Sequence, residues 1–353
     1  MLDLVSILIP AYNAEKWIRE TVESALAQTW PRKEIIVVDD GSSDHTSQIL
    51  GRFASESVQI ITQDNMGAPA ARNTALSIAR GAFIQWLDHD DVLAPDKILN
   101  QLRSGECNAD SRVLLSGVCG KFFYRTTSAQ YTPNALWKDL DPIDYFLIKF
   151  GENSFLHPSC WLVSRKLTDM AGPWLEMKSP DDDGEYFSRV VAACARIKFI
   201  PTAKSYWRVG NSKSMSENRS HEALEALLVS QRRCIQHCLW LENSERTRAA
   251  CLRFLQAGIN NYYPGETTIL EGANEIAKQL GGALRPPILN WKYAPIRLLF
   301  GWGTALRAQR LLPKLKESVY RSHDKLLRDL SIVVGDIRDR RKAKRVATVD
   351  DRQ

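Results

Sequence analysis

Short apolar segments alternate with segments of helical spacing over the first third of the chain. The apolar segments lie at residues 5–10, 35–38, 58–62 and 83–87, and their composition is typical of strands buried on both faces. Between the first two, apolar residues recur every three or four positions over residues 14–29. This alternation predicts an α/β fold, with a mostly parallel sheet covered by helices.

Acidic side chains directly follow two of these predicted strands. Asp39 and Asp40 end the second strand, and Asp88, Asp90 and Asp91 end the fourth. Charged carboxylates are too costly to bury without a cation or strong donors, so we expect them at an edge of the sheet. Ligands bind at that edge in open α/β sheets, and clustered carboxylates suit Mg²⁺ or Mn²⁺ bridging to phosphate. The pattern therefore predicts a metal-diphosphate site, with a solvated turn and a helix cap as the alternative.

The composition narrows the class of protein. With 353 residues, 44% hydrophobic and 25% charged, the chain is typical of a soluble globular protein with one large domain and an appendage. Its seven cysteines form no CxxC pair, which fits a reducing compartment. GxGxxG and GxxxxGK[ST] motifs are absent, which argues against dinucleotide-binding and P-loop proteins. A signal peptide and an apolar run of roughly 18 residues are also absent, so we expect a cytoplasmic protein.

Positive charge is concentrated near the C-terminus. Residues 285–353 contain 17 Lys and Arg against 7 Asp and Glu, a net charge of +10, whereas the whole chain carries +6. Within them, residues 286–302 mix aromatic, aliphatic and cationic side chains, which suits either an anionic membrane surface or a packed helix with a solvated basic face. The basic run 338–345 is predicted to be a disordered end. It has no accompanying aromatic or fold motif, so we expect no nucleic acid partner.

Four short motifs occur in order at the predicted strand ends: Pro10-Ala11-Tyr12-Asn13, Val37-Val38-Asp39-Asp40-Gly41-Ser42-Ser43-Asp44, Asn65-Met66-Gly67 with Ala71-Arg72-Asn73, and Asp88-His89-Asp90-Asp91. Together they resemble the nucleotide-binding motifs of the family 2 glycosyltransferases. The resemblance covers residues 4–215 and implies a GT-A type α/β fold, a mixed, mostly parallel sheet flanked by helices. The spacing of apolar residues beyond it predicts a helical C-terminal extension.

The predicted domains follow from this resemblance and from the helical spacing beyond it. A catalytic domain spans residues 1–216, divided into a nucleotide-binding half (1–104) and an acceptor half (105–216); a helical region covers 217–335 and a disordered basic tail 336–353. Further elements are predicted as a strand pair at 113–118 with 121–124, as two last strands at 197–201 and 205–208, and as helices at 221–257 and 267–280.

The resemblance also implies roles for the donor-binding residues. Asp40 would accept a hydrogen bond from the imino N–H of uracil or a similar base, with Tyr12 beside the base. Arg72 would reach the base or the diphosphate, or would instead pair with Asp40. The other implied donor-binding residues are Pro10, Ala11, Asn13, Asn65, Asp88 (toward the ribose), Asp182, Arg208 and Ser212.

Two acids carry the implied chemistry. Asp90 would hold Mn²⁺ or Mg²⁺, which needs only one or two protein carboxylates; His89 is not expected to bind the ion. The segment 179–189 resembles the family's Glu-Asp pair followed by Arg, and this places the general base at Asp183. Asp182 stands where Glu is usual, which shortens its reach. The alternative is that these acids only complement a helix N-terminus.

The implied function is an inverting glycosyltransferase that moves a sugar from a nucleoside diphosphate donor, UDP favoured, to a hydroxyl of a glycan or lipid-linked acceptor. We expect it in polysaccharide or cell-surface glycan synthesis, peripheral on the inner face of the plasma membrane. A catalytically silent GT-A-like module would lack Asp90 or Asp183, and a sugar-phosphate nucleotidyltransferase would need a Gly- and Arg-rich loop after the first strand. His157 is left open as an acceptor-facing or a structural loop residue.

Overall fold

The computed structural model describes residues 2–105, 107–210, 218–263 and 265–350, with side chains omitted at 310, 313–317 and 331–350. The chain divides into two compact units. The first unit comprises Met1–Gly120, Tyr131–Trp207 and Asn211–Pro287, and the second comprises Lys121–Gln130, Arg208–Gly210 and Ile288–Gln353.

Strands and helices alternate through the first half of the chain. The strands are β1 (Val5–Ala11), β2 (Lys33–Asp39), β3 (Val58–Thr62), β4 (Phe83–Trp86), β5 (Val92–Leu93), β6 (Val113–Phe122), β7 (Val163–Ser164) and β8 (Arg196–Arg208). The helices are α1 (Ile18–Leu26), α2 (Thr46–Leu50), α3 (Ala68–Ile78), α4 (Lys97–Leu102), α5 (Pro142–Glu152), α6 (Arg165–Ala171), α7 (Asp182–Ala193), α8 (His221–Leu241), α9 (Glu245–Tyr262), α10 (Thr267–Gln279) and α11 (Ala294–Asp350).

The main sheet has the strand order β3-β2-β1-β4-β7, in which only β7 runs antiparallel to its neighbour. Adjacent residues of the central strand β1 belong to different cores: Leu8 packs in one apolar cluster, and Ile7 and Ile9 pack in the other. Because side chains alternate between the faces of a strand, both faces of this sheet are buried. The predicted mostly parallel sheet flanked by helices is confirmed.

A smaller sheet has the order β5-β8-β6. Its strands β6 and β8 are continuous, so the four shorter strands predicted over these residues are wrong. The break predicted near Pro201 does not occur; β5 pairs with β8 at Ser205 and Tyr206, four residues further along the strand. Pro201 is exposed and lies outside that pairing, where its missing N–H costs little.

The helices α8, α9 and α10 belong to the first unit. The single helix predicted over residues 221–257 is in fact two, because Ser244 and Thr247 form a capping box that starts α9. Phe254 of α9 stacks on Phe150 of α5, with 4.2 Å between ring centroids. Ser230 of α8 donates to Ser179 Oγ (3.1 Å), just before α7. The helical region predicted over 217–335 is therefore divided between the two units.

The second unit is built around α11, whose backbone leaves helical geometry at Gly301 (φ 79°). Asp324 of α11 accepts hydrogen bonds from the backbone N–H of Tyr124 (2.9 Å) and from Arg125 Nε (2.7 Å). Helical backbone is assigned as far as Asp350, and the disordered tail over 336–353 stays a prediction. In the described part of the chain, no helix is both long and apolar enough to cross a bilayer.

Candidate active site

A cleft of about 670 Å³ lies where β1, β2 and β4 end. It gathers nine of the residues predicted from the sequence: Pro10, Ala11, Tyr12, Asn13, Asp40, Asn65, Arg72, Asp88 and Asp90. Sequence reasoning missed four further lining residues that are charged or aromatic, Glu15, Lys16, Trp17 and Lys178. Since carboxyl ends of parallel strands meet at one edge of a sheet, motifs far apart in sequence share one wall.

The loops after β1 and β2 are joined through Asn13. Its backbone takes a left-handed conformation (φ 47°), its N–H donates to Ser42 Oγ (2.9 Å), and its Oδ1 accepts from the N–H of Ser43 (2.8 Å). Asn13 therefore fixes the shape of the cleft wall. The adjacent Tyr12 is 46% exposed, which leaves its ring able to pack on a ligand.

Asp40 is held by the loop that follows β3. Its carboxylate accepts from Gln63 Nε2 (2.8 Å) and from the backbone N–H groups of Met66 (3.0 Å) and Gly67 (2.8 Å). Gly67 adopts φ 97°, a conformation that favours glycine. Asp40 is therefore a fixed, almost fully buried carboxylate on the cleft wall. Its recognition of a base stays a prediction.

Arg72 of α3 bridges two acids, neither of which is Asp40. Its Nη2 lies 2.9 Å from Asp88 Oδ1 and its Nη1 lies 2.7 Å from Asp182 Oδ2. The guanidinium also lies over the ring of Trp174, 4.3 Å from its centroid. Although burial works to lower the pKa of Arg72, the two carboxylates outweigh burial and raise it. Arg72 therefore joins the end of β4 to the start of α7 as a permanent cation.

Replacing Arg72 with Met is expected to destabilise the protein by about 3 kcal/mol, because it leaves Asp88 and Asp182 without their shared cation. Urea unfolding would measure the loss. The matched control is Arg80→Met, since Arg80 pairs with Glu34 at 3.0 Å but its side chain is 78% exposed; we expect that change to cost less than about 1 kcal/mol. Equal losses in the two variants would contradict the bridging role.

His157 lies against the acids at the end of β4. Its Nδ1 is 3.3 Å from Asp91 Oδ2 and its Nε2 is 3.8 Å from Asp88 Oδ2, and its ring stacks on Trp207. Burial lowers the pKa of His157 to about 4, against the charges of Asp88 and Asp90, so the ring is neutral at physiological pH. The sequence could not decide the role of His157, because no residue in its own loop indicates contact with acids so distant along the chain.

The acids that follow β4, together with His157, offer ligand atoms that fit a divalent cation. Asp88, Asp91 and His157 each offer a ligand atom, and these atoms lie within 4.8 Å of one another. Asp90 lines the cleft, whereas one oxygen of Asp88 is already bonded to Arg72. Carboxylate oxygens suit Mg²⁺ and Mn²⁺, and a neutral imidazole is also acceptable to Mn²⁺. Either Asp90 alone or this cluster could therefore hold the ion.

Asp183 lies in the first turn of α7. Burial, followed by the charges of Asp181 and Asp182, raises the pKa of Asp183 to about 8. Asp182 and Asp183 are not among the residues that line the described cleft, but Asp182 is joined to its wall through Arg72. The structure thus connects the second acidic segment to the cleft by one ion-paired residue, Arg72.

Arg189, the arginine that follows Asp183 by six positions, and Arg208 are not among the residues that line the described cleft. Arg189 tethers its own helix, with Nη2 2.9 Å from Glu185 Oε2, and also donates to the carbonyl oxygen of Ala171. Arg208 belongs to the second unit, where it donates to the carbonyl oxygen of Phe123 (2.9 Å). Ser212 lies outside the described residues. Phosphate binding by Arg208 and Ser212 stays a prediction.

Comparison with known proteins agrees with this geometry. Residues 6–170 match the family Glycosyl transferase family 2. A stretch of 102 residues is 45% identical to the Escherichia coli protein UDP-Glc:alpha-D-GlcNAc-diphosphoundecaprenol beta-1,3-glucosyltransferase WfaP, covering 29% of this chain and 41% of that one. Another, of 97 residues, is 47% identical to Escherichia coli chondroitin synthase, covering 27% and 14%. The chain thus spans less than half the length of these two relatives.

Among solved structures, S. aureus TarS residues 1–349 in complex with UDP-GlcNAc aligns with a TM-score of 0.53 and 18% identity, covering 82% of this chain and 95% of that one. A second TarS structure gives a TM-score of 0.55 and covers 79% of this chain and 50% of that one. The fold is therefore of the GT-A type. The resemblance to the family 2 glycosyltransferases, predicted from the four motifs, is confirmed by the family match over residues 6–170.

Proposed function

We propose that the protein is an inverting, metal-dependent glycosyltransferase. It would move a sugar from a nucleoside diphosphate donor to a hydroxyl of a glycan or lipid-linked acceptor, in the synthesis of polysaccharide or cell-surface glycan. The observation that carries the proposal is the cleft that gathers Asp40, Arg72, Asp88 and Asp90 where three parallel strands end. A UDP-sugar is favoured because WfaP is named for a UDP-Glc donor and TarS was solved with UDP-GlcNAc.

The donor would lie along the wall formed by the first two loops. Asp40 is fixed by three hydrogen bonds and would accept a further one from the imino N–H of the base. The half-exposed ring of Tyr12 would pack on the base. Asp88 would bind the ribose through its carboxylate, which Arg72 holds in one orientation.

The ion would bind next to the diphosphate. Asp90, on the cleft wall, is its proposed ligand; the alternative is the cluster of Asp88, Asp91 and His157, whose ligand atoms lie within 4.8 Å of one another. Bound there, Mn²⁺ or Mg²⁺ would act as a Lewis acid that neutralises charge on the departing nucleoside diphosphate. Asp90 is carried by the short loop between β4 and β5, so its position follows that of the sheet.

Asp183 would act as the general base. With a pKa of about 8, its carboxylate is basic enough to take the proton of an acceptor hydroxyl as that oxygen attacks the anomeric carbon. One direct displacement would invert the anomeric centre. Because Arg72 links Asp182 to Asp88, the segment that carries Asp183 is held next to the donor cleft.

We also propose a cytoplasmic location, peripheral on the inner face of the plasma membrane. A lipid-linked acceptor would be presented there, and WfaP is named for an acceptor on diphosphoundecaprenol. The net charge of +10 over residues 285–353 suits the anionic cytoplasmic leaflet.

A screen of nucleotide sugars would test this function. UDP-sugars with Mn²⁺ are expected to raise the melting temperature by several degrees, since ligand at a hundred times its Kd adds about 2.7 kcal/mol of stability. Slow hydrolysis of the same donors should accompany the shift, and EDTA should abolish both. GDP- and dTDP-sugars are the comparison. If no nucleotide sugar shifts the melting temperature with Mn²⁺ present, the proposal is wrong.

A further inference from the structure

The second unit exposes a concentrated set of large apolar side chains. They lie between residues 288 and 300 and are 67% to 89% exposed: Ile288, Trp291, Leu298, Leu299 and Phe300. Soluble proteins commonly expose single apolar residues, but a contiguous apolar patch marks a binding surface. We call residues 288–300 the docking segment.

The backbone separates the docking segment from the part of α11 that follows Gly301. It contains a 3-10 turn at Trp291–Tyr293 and the helical turns that end at Gly301. Gly301 adopts φ 79°, where a side chain would be strained, and the helix changes direction there. Beyond it, Ala305 and Leu306 are buried within the protein. Leu298, Leu299 and Phe300, just before Gly301, are instead exposed to solvent.

The charge around this segment identifies its partner. Residues 285–316 contain seven Lys and Arg and no Asp or Glu, and Lys292, Arg297 and Arg307 are exposed. Two copies of the chain that met through this surface would bring like charges together. An anionic lipid surface would instead attract every one of them, each cation adding roughly fivefold to the affinity. Trp and Tyr are also the side chains that favour the headgroup region.

We propose that the docking segment binds an anionic lipid bilayer, with its apolar side chains among the headgroups and upper acyl chains. Lys292, Arg297 and Arg307 bind the lipid phosphates. This deepens the proposed membrane location by naming the segment and the lipid chemistry. It does not depend on the sugar donor, so the two proposals can fail separately.

Vesicle co-sedimentation of the full chain tests the proposal. Vesicles of phosphatidylcholine and phosphatidylglycerol in equal parts should bind the protein at least about 100-fold more tightly than phosphatidylcholine alone, and high salt should weaken the binding. The triple change Lys292→Glu, Arg297→Glu and Arg307→Glu should lower the affinity at least about 100-fold. The apolar triple change Leu298→Ser, Leu299→Ser and Phe300→Ser should lower it at least about tenfold.

A matched control reverses three exposed cations elsewhere in the chain, Arg52→Glu, Lys138→Glu and Lys166→Glu. It makes the same change in net charge and should keep vesicle affinity within about fivefold of wild type. The proposal would be overturned if the control lost as much vesicle affinity as the charge-reversed Lys292, Arg297 and Arg307 variant. It would also be overturned if that variant and the apolar variant both bound vesicles as tightly as the wild type. An oligomer of the wild type, seen by light scattering without lipid, that the apolar change converts to a monomer would overturn it too.

Hydrolysis of a soluble UDP-sugar distinguishes failure of the membrane-binding proposal from failure of the proposed function. All three variants should hydrolyse a UDP-sugar at the wild-type rate, which also shows that they fold. Should a triple variant fail to fold, the single changes Phe300→Ser and Arg297→Glu replace it, each with a loss of at least about threefold in vesicle affinity. A protein that binds anionic vesicles but hydrolyses no donor would refute the proposed function alone.

Discussion

Replacing Asp183 with Asn is expected to lower kcat for sugar transfer by about a thousandfold, because an amide cannot take the acceptor proton. Donor binding should stay within a few fold of wild type, since Asp183 is not among the residues that line the described cleft. Transfer assays and calorimetric titration with UDP would measure the two effects. For the wild type, kcat/KM should rise with pH to a plateau above about 8, because the base must be ionised. Wild-type transfer by the Asn variant would exclude Asp183 as the base.

The same substitution should remove a pH dependence of stability. Burial raises the pKa of Asp183 to about 8, from an ordinary value of 3.8, so the folded protein binds this proton more tightly than the unfolded chain does. The stabilisation is complete below about pH 4 and is lost as pH rises to about 8. Between pH 5 and 9 the wild type should lose about 4 kcal/mol more unfolding free energy than Asp183→Asn. The exposed Asp110→Asn serves as the control, and should follow the wild type.

Replacing Asp90 with Asn is expected to lower kcat for transfer by about a thousandfold or more, because the ion loses its charged ligand on the cleft wall. Titration of transfer activity with Mn²⁺ should show that the variant either requires a higher Mn²⁺ concentration or no longer responds to Mn²⁺. His157→Gln and Asp96→Asn are the comparisons. If Asp90 is the principal ligand, His157→Gln should cost less than Asp90→Asn, and Asp96→Asn, at an exposed acid, should change little. A larger loss in His157→Gln would move the ion to the cluster of Asp88, Asp91 and His157.

The sequence predicted the candidate site best where the motifs directly follow the ends of strands. Continuous apolar segments predicted the buried parallel strands, and because such strands end at one edge, the motifs after them could be assigned to one site. Nine of the predicted residues do line the cleft. Strand length was less predictable, since a proline commonly ends a strand but Pro201 lies within β8.

Contacts between distant segments could not be predicted. Arg72 and Asp182 are separated by 110 positions, and the sequence offered Asp40 as the partner of Arg72. His157 meets Asp88 and Asp91 only because its loop folds back over the end of β4. The helical spacing of residues 221–257 likewise predicted helix but not the packing of α8 against the start of α7. Periodicity indicates which face of a helix or strand is apolar but not which other element packs against that face.

Calorimetric titration of UDP into the protein, with Mn²⁺ and then with EDTA, tests the central claim most directly. The cleft and its acids predict saturable binding of one UDP per chain with Mn²⁺, at least about tenfold weaker binding in EDTA, and little dependence on Mn²⁺ in the Asp90→Asn variant. Binding that is equally tight with EDTA and in Asp90→Asn, or no binding under any of these conditions, would contradict a metal-dependent nucleotide-sugar site.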